Sequence, residues 1–270
     1  MRFFETASPR LFAHRGASGI RPENTLDSFA AGLEDGASIL EMDVHASSDG
    51  HVVVMHDDTL DRTTDGTGAV SAYSLTELRK LDAGYRFGDG DGEHPYRGKG
   101  IRIPTFSEVL GAFPDTPLNV EIKQLDPPIE PLVFELLDRT RARDRVLLAA
   151  GEDAVMARIR AGDHALTGFS EAEATEFVGR CASGDFNGYR PPGVALQVPH
   201  WYQGIEVVTP ALVQCAHALD VEVHVWTVNE EIEIEALLDI GVDGIMSDFP
   251  GRVSYVLSRR GLAQRTRGLD

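Results

Sequence analysis

The amino-acid sequence predicts an α/β fold, a TIM (β/α)8 barrel with a small insertion after the hairpin of its second strand. Short apolar segments rich in Val, Ile and Leu alternate with amphipathic segments of helical period, which indicates a parallel sheet covered by helices. The chain has 270 residues, which is the length of one such barrel. The candidate strands are residues 11–15, 39–44, 52–56, 118–123, 145–150, 165–169, 194–198, 223–228 and 244–248.

Nine candidates are one too many for an eight-stranded barrel, and the link between the second and the third resolves the excess. Only seven residues, 45–51, separate these two, whereas a parallel crossover needs about a dozen or more. The link contains Ser47-Ser48-Asp49-Gly50, which is typical of a hairpin turn. We therefore expect residues 52–56 to run back antiparallel to the second strand, so that eight parallel strands remain. An open, doubly wound sheet is the alternative.

The helices carry start and stop signals of known physical origin. Asn24 with Asp27 predicts the cap of the first helix, because both side chains can bond free backbone N–H groups. Gly241 predicts the end of a later helix, because glycine adopts the left-handed conformation that ends many helices. Further start signals are Ser74 with Glu77, Thr105 with Glu108, and Thr209 followed by Pro210.

Residues 59–103 form a long segment rich in Gly and Asp, with one helix predicted near residues 74–82. Segments of this length inside a compact domain are usually functional or mobile. We predict that this segment is an insertion beside the functional site. No linker divides the rest of the sequence, so residues 1–270 are expected to form a single domain.

The composition excludes several classes of function. The chain has 25 basic and 43 acidic residues, a net charge of −18, which repels nucleic acids and anionic membranes. No apolar run approaches 18 residues, so no stable membrane insertion is expected. The two cysteines suggest no disulfide framework and fit no zinc motif, and no apolar leader is visible at the N-terminus. These observations predict a cytoplasmic protein.

Charged and aromatic side chains lie at or near the ends of several predicted strands. In a barrel, the carboxyl ends of all strands meet at one end, here called the mouth, where active sites are found. The hairpin would bring residue 56 back to the same end. The candidates are His14, Arg15, Glu41, Asp43, His56, Glu121, Lys123, Trp226 and Asp248.

Three of the candidates suit a metal ion. Glu41 and Asp43 are two residues apart on a strand, so both face the same side, and Glu121 ends another strand. Unpaired carboxylates are costly inside a barrel, and their hard oxygen atoms favour Mg²⁺ or Ca²⁺. The alternative is a set of structural salt bridges with Arg15 and Lys123.

The other candidates suit phosphate chemistry. His14 and His56 are candidates for a general base and a general acid, because imidazole titrates near neutral pH. Arg15 and Lys123 could bind a phosphate, and Trp226 could pack against the apolar face of a small alcohol. The alternatives are structural histidines and a core aromatic residue.

Together these motifs resemble the glycerophosphodiester phosphodiesterases. The matching segments follow the order of that family and span nearly the whole chain. They are AHRGASGIRPENT (13–25), LEMDVHASSDGHVVVMHDDTLDRTT (40–64), IPTFSEVL (103–110), LNVEIK (118–123), VWTVN (225–229) and GVDGIMSDFP (241–250).

The resemblance implies a TIM barrel that hydrolyses small-molecule glycerophosphodiesters to glycerol 3-phosphate and an alcohol. It implies that the segment 59–103 is the small subdomain of that family. One departure concerns the fifth strand, which many relatives end with Ser-Phe where this chain has Ala149-Ala150-Gly151. By resemblance, Glu41, Asp43 and Glu121 would hold one divalent cation, His14 and His56 would be the acid–base pair, Arg15 and Lys123 would bind phosphate, and Trp226 would line the glycerol pocket.

Two other functions compete with this one. A lysophospholipase D-type phosphodiesterase could use the same barrel and would need an apolar entrance for an acyl chain. A catalytically silent barrel could bind a phosphorylated ligand, but the loss of a histidine or of a metal ligand would be its mark, and none is lost here.

Overall fold

A computed structural model describes residues 2–88, 90 and 92–262 of the chain. The predicted barrel is confirmed in its main features, with parallel strands inside and helices outside. The strands in the described ranges are β1 (Arg10–Ala13), β2 (Ile39–Ala46), β3 (Val52–Val54), β4 (Leu118–Ile122), β5 (Val146–Ala149), β6 (Ala195–Pro199), β7 (Trp201–Tyr202), β8 (Ile205–Glu206), β9 (Glu222–Trp226) and β10 (Gly244–Ser247).

Seven of these strands form a curled parallel sheet in the order β5-β4-β2-β1-β10-β9-β6. The remaining predicted parallel strand, residues 165–169, is not a regular strand. It lies between β5 and β6 and contributes a single parallel bridge from Thr167 to Leu148, while the N–H of Val194 donates to the carbonyl of Thr167 at 2.9 Å. A Cβ at Gly193 would lie 2.3 Å from the carbonyl oxygen of Gly168, so only a glycine allows the two chains to approach this closely.

The predicted hairpin is confirmed. β3 pairs antiparallel with β2, and Val54 lies opposite Val44. The turn closes through a hydrogen bond of 3.0 Å from the N–H of Gly50, whose φ is +79°, to the carbonyl of Ser47. The returning chain leads directly to the mouth, where the N–H of Met55 donates to the carbonyl of Asp43 at 2.9 Å.

Apart from one short helix in the segment 59–103, the helices lie on the outside of the sheet. The two predicted capping boxes at Ser74 and Thr105 and the Thr209 cap are confirmed, and Gly241 ends its helix with φ +91°. The helices are α1 (Leu26–Glu34), α2 (Leu75–Leu78), α3 (Phe106–Ala112), α4 (Glu130–Thr140), α5 (Asp153–Ala161), α6 (Glu171–Ser183), α7 (Pro210–His217), α8 (Glu231–Ile240) and α9 (Pro250–Arg259).

Two helix predictions need correction. The cap of α1 is Thr25 rather than Asn24, because Asn24 has φ +56° and donates its side-chain amide to Asp43 at 3.1 Å. The helix predicted near residues 74–82 is shorter, since α2 ends at Leu78.

The segment 59–103 has little regular structure in its described part and packs as a small apolar cluster of its own. This cluster rests on the β2–β3 hairpin, because Val53 and Met55 belong to it. The segment is thereby fixed beside the mouth. The buried members are Val53, Met55, Leu60, Val70, Leu78, Ala83, Ile101 and Ile103.

The structure also contains a disulfide bond that the sequence reasoning missed. Cys181 of α6 is bonded to Cys215 of α7, across a sequence separation of 34. The spacing of two cysteines says nothing about which helices pack together, so the pairing became visible only in the fold. Among the helices described, none is long and apolar enough to cross a bilayer.

Candidate active site

The predicted site residues gather at the mouth because each follows or ends a strand of the parallel sheet. His14 and Arg15 follow β1, while Glu41 and Asp43 lie within β2. Glu121 and Lys123 lie at the end of β4, and His56 follows β3. Trp226 ends β9, at the mouth, with 42% of its surface exposed.

Three carboxylates form one cluster, made of Glu41, Asp43 and Glu121, called the carboxylate cluster below. One oxygen from each lies within 4.8 Å of the others. Strand pairing produces this proximity, since Asp43 of β2 lies opposite Glu121 of β4. Burial, and then the neighbouring charge of Asp43, raise the pKa of Glu41 to about 8.

Two cations partly neutralise the carboxylate cluster. The ammonium of Lys123 lies 2.9 Å from Glu121 and 3.5 Å from Asp43, and Nε of Arg15 lies 3.3 Å from Asp43. The salt bridges considered above therefore exist. They do not reach Glu41, whose carboxylate accepts the backbone N–H of Arg15 at 2.9 Å. An all-oxygen donor set with incomplete charge compensation fits a hard divalent cation.

The backbone at Arg15 is held in an unusual conformation. Arg15 has φ +55°, a region that non-glycine residues seldom occupy. Its carbonyl accepts hydrogen bonds of 2.9 Å from the N–H of Asn24 and from the hydroxyl of Ser28. The next residue must be glycine, because a Cβ at Gly16 would lie 2.5 Å from the carbonyl carbon of Ser28. This kink directs the N–H of Arg15 at Glu41.

His14 forms a pair with Asp248, the residue that follows β10. Nδ1 of His14 lies 2.7 Å from Oδ1 of Asp248, which also accepts the hydroxyl of Ser18 at 2.8 Å. The amide of Asn229 donates to the other oxygen of Asp248 at 2.8 Å. Burial lowers the pKa of His14, but the bond to Asp248 and the charge of Glu41 outweigh it, so that the net shift is upward.

His56 forms a second pair of the same kind, with Asp57. Nδ1 of His56 lies 2.6 Å from Oδ1 of Asp57, and Nε2 of His45 contacts the carbonyl of His56 at 3.1 Å. Hydrogen bonds from Arg62 are the main cause that lowers the pKa of Asp57 to about 2. In both pairs the carboxylate faces Nδ1, and within the described part of the chain Nε2 of each imidazole has no hydrogen-bond partner and is available to a substrate.

Several polar residues of the site were not predicted in these positions. The sequence predicts that Asp248 lies at the mouth, but it does not identify Asp248 as the partner of His14. Asn24 was interpreted as a helix cap, and Glu23 and Arg62 were not singled out. Their signal was present in the Pro-Glu-Asn-Thr and Asp-Arg-Thr-Thr segments, but only the fold shows which groups these side chains reach.

Comparison with known proteins gives consistent results. The model of the glycerophosphoryl diester phosphodiesterase family matches residues 14–252. A glycerophosphodiester phosphodiesterase from Caldanaerobacter subterraneus subsp. tengcongensis is 31% identical, and the alignment covers 93% of this chain and 98% of the relative. A lysophospholipase D from Homo sapiens is 28% identical, with 89% of this chain and 83% of the relative covered.

A solved structure supports the fold. It is a phosphodiesterase from Oleispira antarctica in complex with the product sn-glycerol-3-phosphate. It superposes on this chain with a TM-score of 0.76 at 26% sequence identity, and covers 93% of this chain and 97% of its own.

Proposed function

The chain belongs to the glycerophosphoryl diester phosphodiesterase family, and on that premise we propose that it hydrolyses glycerophosphodiesters to glycerol 3-phosphate and an alcohol. The observation that carries the proposal is the presence of two His–Asp pairs and the carboxylate cluster at one mouth. The similarity to an enzyme solved with sn-glycerol-3-phosphate supports it.

The carboxylate cluster is the proposed site of one divalent cation, Mg²⁺ or Ca²⁺, held by Glu41, Asp43 and Glu121. A bound cation of this kind would polarise the phosphodiester and neutralise charge that develops in the transition state. The fit rests on the three carboxylate donors, of which only Asp43 and Glu121 form salt bridges with Lys123 or Arg15.

His14 and His56 are the proposed acid–base pair. We assign His14 as the base, whose free Nε2 removes a proton from the nucleophile, and His56 as the acid, whose Nε2–H protonates the departing alkoxide. The reverse assignment uses the same geometry and is tested below. The nucleophile is water or the glycerol hydroxyl of the substrate itself, and the second route passes through a cyclic phosphate.

Arg15, Lys123 and Trp226 are the proposed substrate-binding residues. The Arg15 guanidinium and the Lys123 ammonium provide fixed positive charge for the phosphate on a strongly negative chain. The exposed indole of Trp226 provides an apolar surface for the glycerol carbons.

One experiment tests the reaction and the cation together. Purified protein is assayed with a panel of glycerophosphodiesters in excess EDTA, and again after Mg²⁺ or Ca²⁺ is added. We expect activity only with added cation, and full activity in excess EDTA would remove the cation from the proposal. Phosphorus NMR under single-turnover conditions distinguishes the nucleophiles, since a cyclic phosphate appears only if the glycerol hydroxyl attacks. Binding without turnover would favour the silent barrel.

A specific observation favours lysophospholipase D activity as a second candidate. The β7–β8 hairpin leaves the carboxyl end of β6 and so lies at the mouth end of the barrel. It exposes 55% of Trp201, 51% of Tyr202 and 68% of Ile205. An apolar surface there could accept the acyl chain of a lysophospholipid.

The second candidate is tested with Trp201→Ser and Ile205→Ser. We expect these changes to reduce activity on a lysophospholipid but not on a short glycerophosphodiester. Tyr255→Ser is a matched control, because Tyr255 is 54% exposed on the helix α9. Equal activity of all variants on both substrates would exclude a role for the hairpin.

We also propose that residues 1–270 form a single domain with an insertion near 59–103. The absence of nucleic-acid partners is proposed as well.

The cytoplasmic location stays a prediction. The Cys181–Cys215 disulfide argues against it, since stable disulfides are rare in reducing compartments. Trapping of free thiols at the moment of cell lysis tests the location, because alkylated cysteines would indicate a reducing compartment.

A further inference from the structure

Arg62 makes an unusually complete set of ionic contacts for a residue that is about half exposed. Its Nε and Nη2 donate to the two oxygens of Asp57 at 2.7 and 3.0 Å. Its Nη1 and Nη2 donate to the two oxygens of Glu23 at 2.6 and 2.7 Å. One guanidinium therefore forms two bidentate pairs, the geometry in which arginine binds carboxylates most strongly.

Both carboxylates lead to groups of the proposed active site. Asp57 contacts Nδ1 of His56 at 2.6 Å, and Glu23 accepts a hydrogen bond of 3.2 Å from Nη1 of Arg15. The result is a continuous chain in the order Arg15, Glu23, Arg62, Asp57, His56. It joins the proposed phosphate-binding arginine to one of the two proposed acid–base histidines, and the charges from Arg15 to Asp57 alternate in sign.

The chain of contacts also joins three separate parts of the fold. Glu23 lies between β1 and α1, Asp57 follows β3, and Arg62 belongs to the segment 59–103. The segment would need no such residue merely to stay attached, because its apolar cluster already packs against the hairpin. An ordinary surface pair made by the same segment is that of Arg79 with Glu108 of α3, which has one hydrogen bond, of 2.6 Å.

We propose that Arg62 is a positioning residue that aligns His56 and Arg15 at the same time, through Asp57 and Glu23. This inference rests on the proposed function, since it assigns Arg62 a task in that reaction. Arg62 itself does not contact the substrate in this proposal. Its fork fixes the orientation of two carboxylates, each of which fixes one active-site side chain.

The contacts of Arg62 with Asp57 (the Asp57 arm) and with Glu23 (the Glu23 arm) predict separable kinetic effects. Loss of the Asp57 arm leaves His56 free to rotate, which lowers kcat, because small misplacement of a catalytic group costs up to about 100-fold in rate. Loss of the Glu23 arm loosens Arg15, which weakens phosphate binding and raises KM. Arg62→Met removes both arms at once, so it should both lower kcat and raise KM.

The kinetic experiment compares Arg62→Met with Asp57→Asn, Glu23→Gln and Arg62→Lys. We expect Arg62→Met to lower kcat by about 10- to 100-fold and to raise KM. Asp57→Asn should reproduce the loss of kcat, and Glu23→Gln the rise of KM. The kcat and KM of Arg62→Lys should lie between those of Arg62→Met and of the wild type, because an ammonium keeps the charge but cannot form bidentate pairs with the carboxylates.

Arg79→Met is the matched control, because Arg79 and Arg62 have side chains that are 50% and 47% exposed and lie in the same segment. Values of kcat and KM for Arg62→Met within about threefold of this control would overturn the proposal. Thermal unfolding of each variant identifies any that fail to fold, and Arg62→Lys then carries the kinetic test.

A spectroscopic measurement tests the same alignment without turnover. Nitrogen-15 NMR of the His56 ring, assigned with His56→Gln, reports whether Nδ1–H is hydrogen-bonded to Asp57. We expect this signal in the wild type and in Arg79→Met, and its loss or broadening in Arg62→Met. An unchanged signal would overturn the positioning role. If the wild type hydrolyses no glycerophosphodiester, the proposed function fails, while this measurement still decides whether Arg62 orients His56.

Discussion

The two ends of the barrel interior differ in how their buried charged side chains are arranged. Near the amino ends of the strands, Arg10 forms a bidentate pair with Glu222 at 2.6 and 2.9 Å, and Glu222 contacts His224 at 2.9 Å. The network continues from His224 to Gln197 at 3.2 Å and from Gln197 to Asn119 at 2.9 Å. These five residues are called the floor network. Opposite charges are adjacent in it, and each member has a partner.

The mouth places like charges together instead. Glu41 and Asp43 are both buried, and the pKa of Glu41 is raised to about 8 by burial and by Asp43, whereas the pKa of Glu222 in the floor network is lowered to about 2. Arg15 also holds a positive φ there. We infer that the floor network stabilises the fold. The mouth keeps two buried carboxylates close together, an unfavourable arrangement that a bound cation would relieve.

The largest expected effect follows from removal of either imidazole at the mouth. His14→Ala and His56→Ala should each lower kcat by about 10²- to 10⁴-fold, because each removes one proposed proton transfer. The pair of His14 with Asp248 also contributes to stability, so folding has to be measured beside activity. Steady-state kinetics and thermal unfolding measure the two effects. A loss of tenfold or less would assign that histidine another role.

The next effect concerns the floor network and should have the opposite character. Glu222→Gln leaves the buried guanidinium of Arg10 without its carboxylate, so we expect the free energy of unfolding to fall by about 3 kcal/mol, with kcat unchanged. Because the pKa of Glu222 is lowered to about 2, its contribution is present above its ordinary value of 4.5 and is lost as the pH falls towards 2.

Denaturant unfolding at several pH values measures this loss. Glu230→Gln is the control, since Glu230 is 75% exposed and lies 3.6 Å from Arg252. We expect this surface change to cost under about 1 kcal/mol. A loss of kcat in Glu222→Gln at unchanged stability would contradict the separation between the two ends.

The same contrast explains how much could be read from the sequence. The positions of most strands along the chain, the hairpin and the charged residues at strand ends follow from short-range patterns, namely apolar runs, turn residues and spacing. The partners of those residues do not, because Asp248 is 234 positions from His14 and Arg62 is 39 positions from Glu23. The disulfide and the missing eighth strand were unpredictable for the same reason, since both depend on how distant segments pack.

Glu41→Gln tests whether the mouth is destabilising before a cation binds. Protonated Glu41 contributes stability that is fully present below its ordinary pKa of 4.5 and is lost as the pH rises through its raised value of about 8. In EDTA at pH 8, Glu41→Gln should therefore be more stable than the wild type, by about 1–2 kcal/mol. Under the same conditions Glu121→Gln should be less stable than the wild type, because it removes the carboxylate that pairs with Lys123.

Added Mg²⁺ or Ca²⁺ should reverse the order of Glu41→Gln and the wild type. A cation that binds only the folded protein stabilises it in proportion to its affinity, and the variant lacks one ligand. Thermal unfolding with and without the cation measures this. A wild type that is more stable than Glu41→Gln in EDTA would show that the mouth is not destabilising.

The smallest expected effect distinguishes the base from the acid. Asp248→Asn removes the hydrogen bond and the charge that raise the pKa of His14, so this pKa should fall. One limb of the pH profile of kcat/KM should move to lower pH. If the acidic limb moves, His14 acts as the base; if the alkaline limb moves, it acts as the acid. Asp243→Asn is the control, because Asp243 forms an equivalent pair with the exposed His217, at 2.8 Å. Asp243 precedes β10 and therefore lies at the opposite end of the barrel from the site. A profile that shifts to higher pH, or one that matches the control, would show that Asp248 does not set the proton affinity of His14.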